Sequence, residues 1–285
     1  MALPENRTKT IFRQCQLCGT HPLERFISCN MVSMWQCPNC DLLQYGTLYA
    51  PEQYDGAYDQ IYGHRLDRKV YTAAMRLNRV AAVLDTDHPR LLEMGCNLGA
   101  TMEAARRRGW EVVGVDVSED VVSYCQKRDY DCVAIDGLHL PFPDESFDVI
   151  TAWHVIEHVA DVRQTLAEWR RVLRPGGVVA LETPDASSPK VQRRGAKYGK
   201  FWRAEHTYVF TPQNLGEFVK QTGFELMDQP SVGRLTDLPL ANTCYSVAHR
   251  LLDGLLYATG NHKAFQIFAR RVETVPATLP LRRAA

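Results

Sequence analysis

The sequence predicts an α/β fold with a mostly parallel sheet, preceded by a small cysteine-bound module. Two patterns carry that prediction. After residue 88, short runs of β-branched and apolar residues alternate with stretches of helical spacing, the pattern of repeated βαβ units. Before residue 48, four of the nine cysteines stand as two C-x2-C pairs separated by 18 residues. A chain of 285 residues accommodates one ordinary domain and a further unit of about 50 residues. The expected division is a module over 1–48, a tyrosine-rich linker and helix over 49–87, and the α/β domain over 88–273. An insertion near 231–262 interrupts that domain, and 274–285 form a disordered tail.

Composition narrows the function without naming it. Apolar residues make up 45% and charged residues 23%, and 33 Lys plus Arg balance 33 Asp plus Glu. No bulk electrostatic pull toward nucleic acid or a membrane surface follows. No apolar run reaches the roughly 18 residues a membrane span needs, and "MALPENRTKTIFRQ" is too polar for a secretory signal. The expectation is a cytoplasmic protein without membrane insertion.

In a reducing compartment, paired thiols serve metals better than disulfides. "CQLC" holds Cys15 and Cys18, and "CPNC" holds Cys37 and Cys40. Each pair bends into a knuckle that aims two thiolates at one tetrahedral ion, so the expected ligand is zinc. Four thiolates complete the shell and leave no position for water. The ion therefore folds the module and does not catalyse, and its loss should unfold residues 12–45. Cys29 lies between the pairs and reads as a spare residue.

The elements follow in order. Tyr45, Tyr49, Tyr54, Tyr58, Tyr62 and Tyr71 mark a linker whose phenols read as packing groups. Apolar residues at 70, 73, 74, 77, 80, 81 and 84 give the stretch 67–84 helical spacing. Strands are expected in "RLLEMG", "EVVGVDV", "YDCVAID", "FDVITAW" and "GVVALET", with helices at 99–108, 119–128, 161–173 and 212–222. Two more strands are expected in "FELMDQ" and "KAFQIFARRV", and the insertion is amphipathic over 241–258.

Ligands of such sheets bind at the carboxyl ends of the strands, where strand order reverses. The first strand of the domain ends in "LLEMGCNLG", so Glu93, Gly95, Cys96, Asn97 and Gly99 form the turn. The frame Gly95, Asn97, Ala100 departs from G-x-G-x-x-G and argues weakly for a dinucleotide. With its flanking motifs, the stretch 88–230 resembles the class I S-adenosylmethionine-dependent methyltransferases. Asn97 replaces a glycine usual in that family's cofactor loop, and asparagine tolerates the left-handed conformation best after glycine. Asp116 ends "VVGVDV", 23 residues after Glu93, where the family's acid binds both ribose hydroxyls. Val117 follows it. In "AIDGL", the resemblance places Asp136 near the exocyclic amine and Gly137 and Leu138 near the adenine, with Trp153 bordering the cofactor at the end of the fourth strand. "LRPGG" matches the family's turn before strand five. The resemblance implies a seven-stranded, mostly parallel Rossmann-like methyltransferase sheet.

"HVIEHV" follows "FDVITAW" where strand gives way to helix. If residues 154–158 form a helical turn, His154, Glu157 and His158 share one face. Transfer to a hydroxyl requires removal of its proton, and His154 is the first candidate base, with His206 the second. Alternatively, His154, Glu157, His158 and His206 hold a second divalent ion that lowers the hydroxyl's pKa. A structural role for Glu157 and His158 is the third possibility. "EHTYVFTP" and the E-H pair resemble the metal site of small-RNA terminal 2′-O-methyltransferases. His154 stands where that family has Glu, which suits zinc, manganese or iron better than magnesium. The Glu157-His158 pair also resembles the ubiquinone-pathway O-methyltransferases.

The stretch "PKVQRRGAKYGKFWR", 189–203, carries six basic residues and no acid. Its alternatives are a solvated loop or a grip on an anion, with Phe201 and Trp202 stacking on a ring. The whole layout resembles bacterial zinc-ribbon methyltransferases of glycans, deoxysugars and secondary metabolites, which implies a small-molecule or sugar-containing hydroxyl acceptor. One alternative is an rRNA or tRNA methyltransferase that contacts RNA through the zinc ribbon. The other is a catalytically silent S-adenosylmethionine-binding sensor. The acceptor and the oligomeric state are left undefined.

Overall fold

The computed structural model describes residues 14–29, 32–45, 66–198, 206–228 and 264–273. A seven-stranded sheet forms the body, in the order β10 (Phe224–Leu226), β11 (Ala264–Arg271), β8 (Leu173–Pro184), β7 (Phe147–Trp153), β4 (Arg90–Met94), β5 (Glu111–Asp116) and β6 (Cys132–Ala134). β4 pairs in parallel with both β5 and β7, and only β11 runs against its neighbours. Strand order reverses at β4, so the ligand crevice opens at the carboxyl end of that strand.

Alternation along the strands explains the layers. In β8, Val178 and Ala180 enter one core while Val179 and Leu181 enter the other, and Leu91 and Leu92 of β4 divide the same way. The helix α1 (Leu66–Ala81) presents Val70, Ala73, Leu77 and Val80 to the first core, against Ala104 and Ala105 of α2 (Ala100–Arg106). The opposite core is covered by α4 (Val162–Val172) and α6 (Pro212–Gln221), through Leu166, Trp169, Leu215 and Phe218. Side-chain caps fix where helices begin: Ser118 caps α3 (Glu119–Gln126), Asp161 caps α4, and Thr211 with Asn214 forms a capping box on α6. The helices expected from spacing form within three residues of their expected ends. "LRPGG" is not a separate turn. β8 runs through it, and a register shift between Phe147 and Val149 absorbs the extra residues. Among the described residues, no helix is long and apolar enough to cross a membrane. The expected amphipathic stretch 241–258, most of the tyrosine-rich linker and the tail lie outside the described residues.

The cysteine pairs form two knuckles built alike. Cys15 N–H donates to Thr20 O (3.0 Å) and Gly19 N–H to Cys15 O (2.9 Å); Cys37 N–H donates to Leu42 O (2.9 Å) and Asp41 N–H to Cys37 O (3.0 Å). Gly19 and Asp41 occupy equivalent places and both take positive φ, 72° and 57°. Around the knuckles, β1 (Glu24–Cys29), β2 (Val32–Gln36) and β3 (Leu43–Tyr45) form a meander. Its fourth strand comes from far along the chain: β9 (Tyr208–Val209) pairs with β3, Leu43 opposite Val209 and Gln44 opposite Tyr208. Cys15, Leu17, Cys37 and Leu42 share a core with Phe210, Leu215 and Phe218. The module is thus packed into the α/β body through the segment that follows residue 206.

Candidate active site

The turn after β4 is shaped by three consecutive left-handed positions at alternate residues: Gly95 (φ 64°), Asn97 (φ 49°) and Gly99 (φ 77°). Asn97 adopts the conformation expected of it, and its Oδ1 accepts from Leu98 N–H at 2.8 Å. Side chains have no room at the flanking glycines. A Cβ on Gly95 would lie 2.9 Å from Val155, and one on Gly99 would lie 2.9 Å from the Tyr130 ring. Asp116, at the end of β5, accepts Asn97 N–H at Oδ2 (3.1 Å) and Ser118 N–H at Oδ1 (3.1 Å). Its carboxylate therefore braces the turn, and each oxygen keeps a further lone pair for a hydroxyl. In the neighbouring loop after β6, Asp136 caps the 136–139 turn by accepting Leu138 and His139 N–H, both at 3.1 Å. Val117 lies beside Gly137, and it and Leu138 are apolar side chains left 37% and 47% exposed, a surface suited to a flat apolar ring.

Glu93 is buried beneath the turn and does not face the crevice. Its carboxylate receives the Thr151 hydroxyl and a bond from Thr101. Burial lifts its pKa to about 8, against those two bonds and the field of Arg76. Its expected contact with cofactor becomes a supporting role below the loop.

No helical turn forms over 154–158. His154 takes φ 60°, and a single tight turn follows, closed by His158 N–H to Val155 O at 2.9 Å. The left-handed His154 aims its ring back between two carboxylates. Nδ1 lies 3.1 Å from Glu157 Oε1 and Nε2 lies 3.2 Å from Glu182 Oε1. The side chain is 46% exposed, and what desolvation it suffers is outweighed by these two bonds and charges, which raise its pKa to about 9. At neutral pH both nitrogens donate, and such a ring has no lone pair with which to take a substrate proton. This clamp speaks against His154 as the base. Glu182 is in turn paired with Arg76 and receives Gln266 Nε2 at 2.7 Å, and Arg76 stacks over Trp153 at 4.8 Å. Arg76, Glu182 and Gln266 were not legible as site residues: they come from three elements far apart in the chain, and no spacing joins them. The carboxylate near the end of "GVVALET", at the strand end where ligands of such sheets bind, is a signal that could have been read.

Glu157 joins two groups. Beyond His154, its Oε2 accepts the Thr183 hydroxyl at 2.9 Å, and its peptide oxygen accepts Thr207 N–H (2.7 Å) and Tyr208 N–H (3.1 Å). Burial pushes its pKa up, and the bond to His154 with the fields of His158 and His206 outweighs that and brings it below the ordinary carboxylate value. The rings of His158 and His206 meet edge-on, 4.9 Å between centroids. Ligand atoms of Glu157, His158 and His206 all lie within 4.8 Å of one another. Two imidazoles and a carboxylate form a donor set for a borderline ion, without His154. The basic stretch begins as expected after β8, in a short helix α5 (Pro189–Arg194). Phe201 and Trp202 lie outside the described residues.

The methyltransferase domain family matches residues 62–229. The chain belongs to this family. Among curated relatives, the ubiquinone biosynthesis O-methyltransferase of Bradyrhizobium sp. strain ORS 278 is 30% identical over 50% of this chain and 61% of its own. That of Nitrobacter winogradskyi is 30% identical over 58% and 65%. The demethylmenaquinone methyltransferase of Staphylococcus saprophyticus is 33% identical over 44% and 57%. The chain thus spans less than two thirds of each relative. Two solved structures share the fold: an S-adenosylmethionine-dependent methyltransferase of Mesorhizobium loti (TM-score 0.52, 17% identity, 71% of this chain and 100% of that one) and the PH0226 protein of Pyrococcus horikoshii OT3 (0.52, 18%, 77% and 97%).

The Glu93 environment yields a pH test. A carboxyl whose folded pKa of about 8 exceeds its ordinary 4.5 holds its proton more tightly in the native state. The stability it contributes is complete below pH 4.5 and is lost as pH rises toward 8. Glu93→Gln cannot ionise, so its melting temperature should fall less than that of the native protein between pH 5 and 8.5; equal falls in parallel thermal melts would refute the buried neutral carboxyl.

Proposed function

We propose that the chain is an S-adenosylmethionine-dependent methyltransferase acting on a hydroxyl of a small-molecule, sugar or glycan-like acceptor. The observation that carries this is the juxtaposition of the left-handed Gly95–Asn97–Gly99 turn with the Glu157, His158 and His206 group beyond the end of β7. The bound cofactor supplies a methyl group made electrophilic by its sulfonium. Asp116 receives the ribose hydroxyls, while Val117, Gly137 and Leu138 border the adenine and Asp136 its amine. His206, oriented beside buried Glu157, is the group assigned to take the hydroxyl proton, with His158 its edge-on neighbour. His154 holds Glu157 and Glu182 apart and in place, as a positioning residue. If the trio instead carries a divalent ion, the same three residues would hold it, and zinc, manganese or iron suits them. The names of the ubiquinone biosynthesis O-methyltransferases support transfer to oxygen. Exposed Arg194 and Lys197 beyond β8 give an anionic acceptor a counter-charge.

Structural zinc fits the amino-terminal cysteines. Sγ–Sγ distances of 3.5 Å (Cys15–Cys40), 3.4 Å (Cys18–Cys37) and 3.7 Å (Cys18–Cys40) approach the edge of about 3.8 Å of a ZnS4 tetrahedron with 2.3 Å bonds. They are far longer than the roughly 2.05 Å of a disulfide.

Three outcomes test this proposal. Asp116→Ala should weaken calorimetric binding of S-adenosylhomocysteine at least tenfold, and unchanged affinity would remove the ribose role. His206→Gln should leave that affinity within about twofold while transfer to a pool of phenols, sugars and nucleotide sugars falls at least a hundredfold. Full transfer would dismiss His206. Chelation of zinc should raise amide exchange at 206–210 together with 14–45 and spare 90–116; protection retained at 206–210 would show that the module does not hold this segment.

A further inference from the structure

Away from the acceptor end, three thiols meet beneath the cofactor turn. Cys96 belongs to the turn, Cys125 lies in the last turn of α3, and Cys132 opens β6. All three are buried, at 3%, 0% and 2% exposure. Their sulfur atoms lie within 4.8 Å of one another, Cys96 and Cys132 at 3.1 Å, and the Cys125 thiol also donates to Asn97 O at 3.2 Å. Gly114 makes the room for them. A Cβ there would stand 2.8 Å from the Cys96 Cβ and 2.6 Å from the Met102 thioether sulfur. Val121 and Val122 complete an apolar wall.

Single buried cysteines ordinarily pack as small apolar side chains. Here three separate elements deliver one sulfur each to one point, with a thioether packed over the same glycine. A trigonal site with metal–sulfur bonds of about 2.3 Å needs sulfurs about 4 Å apart, a spacing reached by shifts of less than 1 Å from those observed. A donor set of sulfur alone selects a soft or borderline ion over magnesium or calcium.

We propose that Cys96, Cys125 and Cys132 form a second metal site, a buried trithiolate centre for a thiophilic divalent d10 cation. On binding, three S–H bonds break, three metal–sulfur bonds form, and three protons leave to solvent, with no change of oxidation state. The complex carries one net negative charge, which faces the field that Arg128 exerts on Cys125. An ion here ties the cofactor turn to α3 and β6, so its consequence is a stiffer loop around Asn97.

The full-length chain loaded with cadmium-113 tests the site without reference to methyl transfer. Elemental analysis after gel filtration should find at least two cadmium ions per chain, and cadmium NMR should give two all-sulfur resonances, one from four sulfurs and one from three, apart from any cadmium held by Glu157, His158 and His206. Cys132→Ser and Cys125→Ser should each lose the second resonance and one equivalent of metal, with the first resonance intact as the internal check on folding. A single all-sulfur resonance in the unaltered protein would overturn the proposal, and so would two such resonances surviving in both variants.

Discussion

A buried carboxylate, Glu157, is the point through which the acceptor end of this molecule is held. It is 1% exposed, and a charge so placed is tolerated only where every lone pair finds a partner. One oxygen meets His154, the other the Thr183 hydroxyl, and its peptide oxygen receives two amides from residues 207 and 208. The side chain faces His154 and Thr183, and the backbone faces the scaffold. Removing the side chain would leave His154 beside Glu182 alone and the Thr183 hydroxyl without its acceptor, while the peptide bonds to 207 and 208 would remain.

The same peptide explains why an amino-terminal cysteine module belongs to this fold. Residues 207 and 208 bond Glu157 on one side, and the module's β3 bonds this segment on the other, through Tyr45 N–H to Thr207 O at 3.0 Å and the β3–β9 pairing. Asn214, the capping residue of α6, also donates to Cys40 O at 3.4 Å, and Arg163 of α4 donates to Leu17 O. Two strands of two and three residues cannot hold a histidine in place unaided. With four cysteines organised around one point, the short β3 becomes a rigid template, and the order it imposes passes to His206 through one strand. The module thus braces the segment that follows His206.

Much of this was legible because it rests on local rules. The left-handed Asn97, the acid ending β5, the two knuckles and the alternation of β4, β7 and β8 each follow from a residue's own conformational or burial preference. What was not legible depends on long-range meetings. The helical turn expected over 154–158 assumed regular spacing, whereas the chain reverses through a left-handed His154, a conformation asparagine or glycine would have advertised and histidine does not. Glu182 and Arg76 are 106 residues apart, and nothing in either neighbourhood announces the other. β9 is two residues long, too short for any periodicity, and its partner lies in another module.

The clamp on His154 also separates two kinds of histidine that look alike in sequence. A histidine bonded through both nitrogens to carboxylates stores a positive charge and offsets Glu157 and Glu182, whose mutual repulsion would otherwise raise one of them. Arg76 shares that task from α1, so the cation on the helix and the cation on the turn together keep two acids ionised in a low-dielectric place. Ionised Glu157 then lies beside the rings of His158 and His206, whose ligand atoms stand within 4.8 Å of its own. The charge balance at the strand ends therefore fixes where Glu157 sits relative to the second pair of histidines, and the residue that first attracts the eye in "HVIEHV" contributes by its two carboxylate bonds.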